Sequence, residues 1–244
     1  MLEKETLPVI YHDDWLIAVH KPSGLLVHRS EIDRHETRFA LQIVRDQIGR
    51  RVNALHRLDK GTSGILLFAF DADITRVMSQ AFEQGNMHKR YQAIVRGWPP
   101  ESGEIDHALS RPKDEYLAAR NPDACAPQPA LTRYTRLATA TLDVMIDRYP
   151  QSRYALLELE PVTGRRHQLR RHMKHIAHPI IGDATYGKGI HNRYFQTAFG
   201  VNRLLLACTE MGFNHPVSGE RIELKVSPAE DFMAVVAGLG MDEV

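Results

Sequence analysis

Residues 65–70 read ILLFAF. A strand of that composition is apolar on both faces, so it belongs in the middle of a sheet rather than at an edge. No apolar run is longer than these six residues, far short of the roughly 20 a membrane span needs. A second strand, NALHRL, is expected just before it, across the polar loop Asp59-Lys60-Gly61-Thr62-Ser63-Gly64. Residues 7–29 read as an extended pair ending in the turn chemistry of Lys21-Pro22-Ser23-Gly24. Thr37 is placed to cap a helix that turns Phe39, Ile43 and Val44 to one side and stops at Gly49. From Asp73 to Gly85, Ile74, Val77, Met78, Ala81 and Phe82 follow helical spacing, with Gly85 as the C-cap.

Residues 87–97 alternate like a half-buried strand that turns Lys89, Tyr91, Ala93 and Val95 to one face. Six prolines between Trp98 and Ala130 make residues 99–130 an irregular flap or insert. Three strands are expected at 131–138, 141–148 and 153–160, then a basic helix at 165–177. Two strands and a final helix close the chain, the helix opening on the capping box Ser227-Pro228-Ala229-Glu230. The predicted class is α+β: a mixed, mostly antiparallel sheet flanked by helices, with an active-site cleft between two lobes. A length of 244 residues at 43% hydrophobic content is enough to fill such a core. The N-terminal MLEKETLP has no apolar signal region, and two cysteines 83 positions apart make no disulfide framework, so a cytoplasmic location is expected.

The formal net charge is only +1, yet it is unevenly placed. Residues 163–203 hold eight Lys/Arg, a single acid (Asp183) and five of the thirteen histidines, so they carry +7 and the remainder −6. A polyanion is therefore able to bind one region of a nearly neutral chain.

Asp59, in HRLDKGTSG, has Arg57 and Lys60 beside it. It reads either as an Asx turn between two strands or as a carboxylate that neighbouring cations keep ionised for work as a nucleophile or base. Projected on a helix at about 100° per residue, TGRRHQLRRHMKHIAHP puts Arg165 on the apolar stripe with Leu169, His172 and Ile176, and Arg166, Arg170 and Lys174 on the solvated side. A guanidinium on an apolar stripe needs a carboxylate, and Asp59 is the expected partner of Arg165; the alternative is that Arg165 bends out to solvent. His167, His172, His175 and His178 suggest a metal cluster, but the five cations crowding the same turns would repel one. Tyr91 reads as a core tyrosine or as a ring that stacks on a base. No GxxxxGK[ST], GxGxxG or GxSxG is present to suggest a nucleotide cofactor or a serine hydrolase.

Taken in order, HRLDKGTSG, KRYQAIVRG (89–97), GRRHQLRRH (164–172) and HPIIGDATYG (178–187) resemble the motifs of the RluA-type pseudouridine synthases, and DWLIAVHKPSGLLVH is similar to that family's opening motif. LVHRS at 26–30, residues 168–183 and the stretch around Asn192-Arg193 are most similar to the branch that modifies tRNA at uridine 65. No room remains before the first motif for the S4 domain of some relatives, so residues 1–244 are expected to be one catalytic domain. The resemblance implies Asp59 as the catalytic aspartate, acting at C1′ or on a sugar proton, Arg165 as its partner, and Tyr91 as the ring against the target base. It implies Arg57 as the group that enters the space a flipped nucleotide leaves, and an RNA-binding set of His56, Arg57, Lys60, Arg166, Arg170, Arg171 and Lys174. The expected partner is tRNA, bound by a monomer without membrane or protein partner, and the isomerisation needs no cofactor and no metal. Leu206-Ala207-Cys208 departs from the family's usual Leu-His-Ala. Three other readings remain: an RluA-type synthase acting on ribosomal RNA, an RNA-binding module without activity, and a phosphodiesterase using the histidines at 167–178.

Overall fold

The computed structural model describes residues 5–29, 35–110 and 126–242. Among them, ten strands form one sheet and five helices pack on it. The strands are β1 (Val9–His12), β2 (Leu16–Lys21), β3 (Asn53–Ala54), β4 (Ser63–Ala69), β5 (His88–Arg96), β6 (Ser102–Asp106), β7 (Leu131–Leu142), β8 (Ser152–Pro161), β9 (Leu206–Asn214) and β10 (Arg221–Lys225). Their order is β1-β2-β4-β9-β5-β8-β7-β6, with β3 added to β4 and β10 to β9. β4 and β9 pair in parallel; the other named pairs are antiparallel. Every residue of β4 is buried, as its two apolar faces require.

The helices are α1 (Ala40–Ile48), α2 (Ala72–Glu83), α3 (Gln168–His175), α4 (Gly189–Phe199) and α5 (Glu230–Gly238). α1 ends at Gly49 in the left-handed region as expected, but it starts behind Phe39 without a side-chain cap. α2 is capped by Asp71, whose carboxylate accepts from the Ile74 N–H at 2.8 Å. Alternation along β5 divides the core. Tyr91, Ala93 and Val95 join one apolar cluster with Ile43 of α1, Met78 of α2 and Met173 of α3. Ile94 joins another with Tyr154, Phe195 of α4 and Phe232 of α5.

Four expectations on local structure are corrected. The 99–130 stretch is not wholly irregular: β6 lies inside it and pairs with β7 from Ser102–Thr135 to Asp106–Leu131. Ile105 is the one buried residue of that short edge strand, too little to show as alternation; the part of the flap at 111–125 lies outside the described residues. The strand expected at 131–138 continues to Leu142 as β7, with a bulge between Arg136 and Ala138 that breaks the alternation, and the strand expected at 141–148 does not form, because residues 143–148 belong to the loop before β8. α4 was not foreseen, because it buries only His191 and Phe195 and begins at a glycine. The Ser227 capping box does not form: α5 begins behind Ala229 with no side-chain cap.

Gly64 makes the passage from the Asp59 loop into β4 possible. Its φ is +108°, and a Cβ there would lie 2.0 Å from the Cys208 carbonyl oxygen at the β4–β9 junction. Backbone strain and this clash together make Gly64→Ala cost about 3 kcal/mol or more. Chemical denaturation of the variant measures this, and an unfolding free energy within about 0.5 kcal/mol of the parent, the usual size of a neutral change, would contradict it.

Candidate active site

The turn after β2 clamps the loop that carries Asp59. Lys21 is wholly buried, and its Nζ donates to the carbonyls of Pro22 at 2.9 Å, Leu25 at 2.7 Å and Lys60 at 3.3 Å. Ser23 Oγ donates to the Gly61 carbonyl at 2.7 Å, and the Gly24 N–H to that of Lys60 at 2.8 Å. Burial, with Arg203 nearby, lowers the Lys21 ammonium to about 7. The sequence showed only turn chemistry at Lys21-Pro22-Ser23-Gly24; that the turn grips the neighbouring loop is a tertiary fact.

On the facing side, α3 is anchored by Gln168. Its amide oxygen accepts from the Arg165 N–H at 3.0 Å and the Thr163 hydroxyl at 2.7 Å, while its nitrogen donates to the Leu131 carbonyl at 2.9 Å and Thr132 Oγ1 at 3.0 Å. His167 precedes the helix with φ 54° and ψ 28°, so residues 163–167 are not helical. The helical projection fails there for that reason, and the expected pairing of Arg165 with Asp59 is not what forms. Arg165 is exposed, and its Nε donates to the Pro129 carbonyl at 3.0 Å.

Arg170 holds Asp59 instead. Its Nε and Nη2 donate to the two Asp183 carboxylate oxygens at 2.7 and 2.9 Å, and Nη1 donates to Asp59 Oδ2 at 2.8 Å. The Tyr186 ring lies over the guanidinium, 5.0 Å from its centroid. The two acids differ in exposure: the Asp183 side chain is 1% exposed and that of Asp59 28%. Asp183 Oδ1 also accepts the N–H groups of Thr185 and Tyr186, each at 2.9 Å. Burial alone would raise this carboxyl, but Arg170 and the two backbone donors outweigh it and hold it below the usual range. Gly182 sets this acid in place, because at φ +78° any Cβ would lie 1.7 Å from the Arg203 carbonyl oxygen. Arg170 was expected on the solvated side, yet its side chain is 11% exposed and bridges two carboxylates. The signal for it was present: Asp183 is a lone acid among eight cations.

Oδ1 of Asp59 faces His167 Nε2 at 3.7 Å, beyond hydrogen-bonding distance. His167 Nδ1 shares a hydrogen bond of 3.0 Å with the Tyr186 hydroxyl, and burial lowers its pKa, with the Asp59 charge acting in the opposite sense. Tyr91 is buried across from Cys208 in the β5–β9 register. Burial, Cys208 and Asp59 all push its phenol well above the usual tyrosine value, so it stays protonated.

The remaining expected RNA contacts divide. Arg57, Arg166 and Lys174 are exposed. Lys60 is exposed but pairs with Glu36 at 2.6 Å, and Arg171 donates to the Ser110 carbonyl at 2.8 Å. His56 is half-buried: its Nε2 accepts the Leu67 N–H at 3.1 Å and its ring stacks on Phe82 at 5.1 Å, so these two contacts hold the ring in place. The four histidines of the basic segment do not converge. His172 bonds Thr132 Oγ1 and the His107 carbonyl, His175 stacks on His107, and His178 bonds the Arg96 carbonyl.

Two histidines set an acid limit on stability. Burial lowers His56 to about 3 and His191, which shares a 2.8 Å hydrogen bond with Tyr154, to about 4. The unfolded chain takes up these protons near 6.5, so the stability they contribute is complete above that pH and falls as pH drops from about 6.5 toward 4. Asp183, held low in the fold, adds a further loss below the ordinary carboxylate value. The thermal midpoint is expected to be lower at about pH 5 than at about pH 7.5, and equal midpoints would refute the titration.

Asp59, Arg170 and Tyr91 lie within residues 15–175, which match the RNA pseudouridylate synthase family, and Asp183, which immobilises Arg170, lies just beyond them. The chain belongs to that family and is an RNA uridine isomerase by class. Among curated proteins it is 45% identical over 234 residues to the tRNA pseudouridine synthase C of Yersinia pestis, covering 96% of this chain and 91% of that one. It is 48% identical over 241 residues to the protein of the same name from Pectobacterium carotovorum subsp. carotovorum, covering 98% of this chain but 64% of that longer protein. The solved structure of human RNA Pseudouridylate Synthase Domain Containing 1 superposes with a TM-score of 0.70 at 24% identity, over 93% of this chain and 85% of that one, which shows the shared fold.

Proposed function

We propose that this protein converts one uridine of tRNA to pseudouridine, with Asp59 acting on the ribose of the target nucleotide. The observation that carries the reading is the division of labour around Arg170. Asp183 takes two of its nitrogens in a fork, so the third is fixed on Asp59 Oδ2, while Oδ1 has no hydrogen bond among the described residues. The relatives named tRNA pseudouridine synthase C support tRNA as the RNA, and uridine 65 as its position remains the family expectation.

The reaction balances within the nucleotide. The C1′–N1 bond breaks, the uracil turns, C1′ bonds to C5, the C5 proton leaves and N1 gains one. The residues of this chain have to bind, orient and hold charge. A stacked uridine hides both reacting carbons, so it has to be extruded, at a cost of a few kcal/mol. Tyr91 offers a buried ring for the extruded base to lie against, and Arg57, Arg166 and Lys174 offer exposed charge to flanking phosphates. Mapping pseudouridine in tRNA incubated with the purified protein tests this. One modified position is expected, at uridine 65, and unmodified tRNA would refute the reading.

A further inference from the structure

The loop joining β7 to β8, residues 143–151, exposes large apolar side chains that neither the core nor the active site uses. Met145 is 69% exposed, Tyr149 52% and Trp98, beside the loop, 40%. These positions are fixed: Ile146 turns inward into the second core cluster, and Trp98 Nε1 donates to the Ala140 carbonyl at 3.1 Å. Each exposed ring carries an arginine, Arg153 at 4.7 Å from the Trp98 centroid and Arg148 at 4.8 Å from that of Tyr149. Neither arginine meets a carboxylate among the described residues.

The patch is tied to the active site. Lys188 pairs with Asp147 in the loop, and Arg96 reaches the same carboxylate at 3.9 Å. Lys188 lies five residues after Asp183, so at full extension the two backbones are at most about 18 Å apart. Lys188 also belongs to the 163–203 segment that carries +7, so the patch continues the basic part of the molecule. Arg96, Arg148, Arg153 and Lys188 stand against Asp143 and Asp147, an excess of two positive charges.

Exposed aromatic rings interleaved with unpaired arginines suit unpaired RNA, whose bases stack on the rings while its phosphates meet the guanidinium groups. We propose that Trp98 and Tyr149, with Arg153 and Arg148, form a stacking platform for an unpaired stretch of the substrate RNA, set apart from the target uridine. This rests on the RNA substrate proposed above.

Two readouts test it. Titrating the protein with an unpaired oligoribonucleotide of about six residues is expected to quench Trp98 fluorescence in a Trp15→Phe background. In turnover, Tyr149→Ala combined with Arg148→Ala is expected to raise KM for full-length tRNA about 10-fold with kcat unchanged, and to leave KM unchanged for a blunt two-strand duplex carrying the target uridine. Tyr149→Phe, which keeps a ring, is expected to behave like the parent. Absent quenching with unchanged KM on tRNA would overturn the proposal and leave the patch to a protein partner; an equal rise of KM on both substrates would overturn it too. If tRNA is not modified at all, the proposed function fails while the quenching still reports on the platform.

Discussion

Arg170→Ala is expected to cost about 3–5 kcal/mol of stability and all measurable activity. The reason is the environment of Asp183. Its side chain is 1% exposed and receives two of the three Arg170 donors, so without the guanidinium a carboxylate stays buried with only two backbone N–H groups to offset its charge. Asp59 loses its charged donor in the same step. Because the alanine variant can fail to fold, Arg170→Lys is the sharper probe. An ammonium keeps the charge but cannot present three donors in one plane to two carboxylates. A folded lysine variant with turnover lowered about 100-fold is expected, the cost of a misplaced reacting group. Arg165→Ala, by contrast, removes a contact to the Pro129 carbonyl from an exposed residue, so its stability should stay within about 0.5 kcal/mol of the parent. Thermal unfolding of the three variants side by side decides the matter, and a large loss confined to Arg165→Ala would restore the pairing first expected from the sequence.

Asp59→Asn separates chemistry from folding. The amide keeps the shape and still offers an oxygen to Arg170 Nη1, but it carries no negative charge to act on the ribose. Turnover is expected to fall by at least about 10⁴-fold, the scale seen when a reacting group is removed. Stability is expected to change by less than about 1 kcal/mol, because the Asp59 side chain is 28% exposed and Asp183 still holds the arginine. Single-turnover assays alongside denaturation measure both quantities. An active Asp59→Asn variant would remove Asp59 from the chemistry, and a strongly destabilised one would mark it as a structural acid.

Elements with strong local signals were legible in the sequence. The central strand followed from ILLFAF, α2 from its amphipathic spacing, and the end of α1 from Gly49, each governed by residues close in the chain. Asp59 and Tyr91 were singled out, one by its polar loop and one by strand alternation together with the family motifs, and the structure sets Tyr91 in the core as the alternation required. What was missed depended on backbone geometry or on contacts distant in sequence. One left-handed residue, His167, separates Arg165 from the helix on which it was projected. The bridge from Arg170 to Asp59 spans 111 residues of chain, and the clamp from Lys21 to the Lys60 carbonyl spans 39. No periodicity encodes such pairings. A charge count came closest, since Asp183 is the single acid in a 41-residue basic segment.

Release of tritium from tRNA labelled at C5 of uridine measures the central claim directly, because C1′–C5 bond formation displaces that atom and strand cleavage does not. The account predicts that the purified protein releases tritium in step with pseudouridine formation from intact tRNA, and that the Asp59→Asn variant releases none. Retained tritium with shortened RNA would contradict it and favour the phosphodiesterase reading.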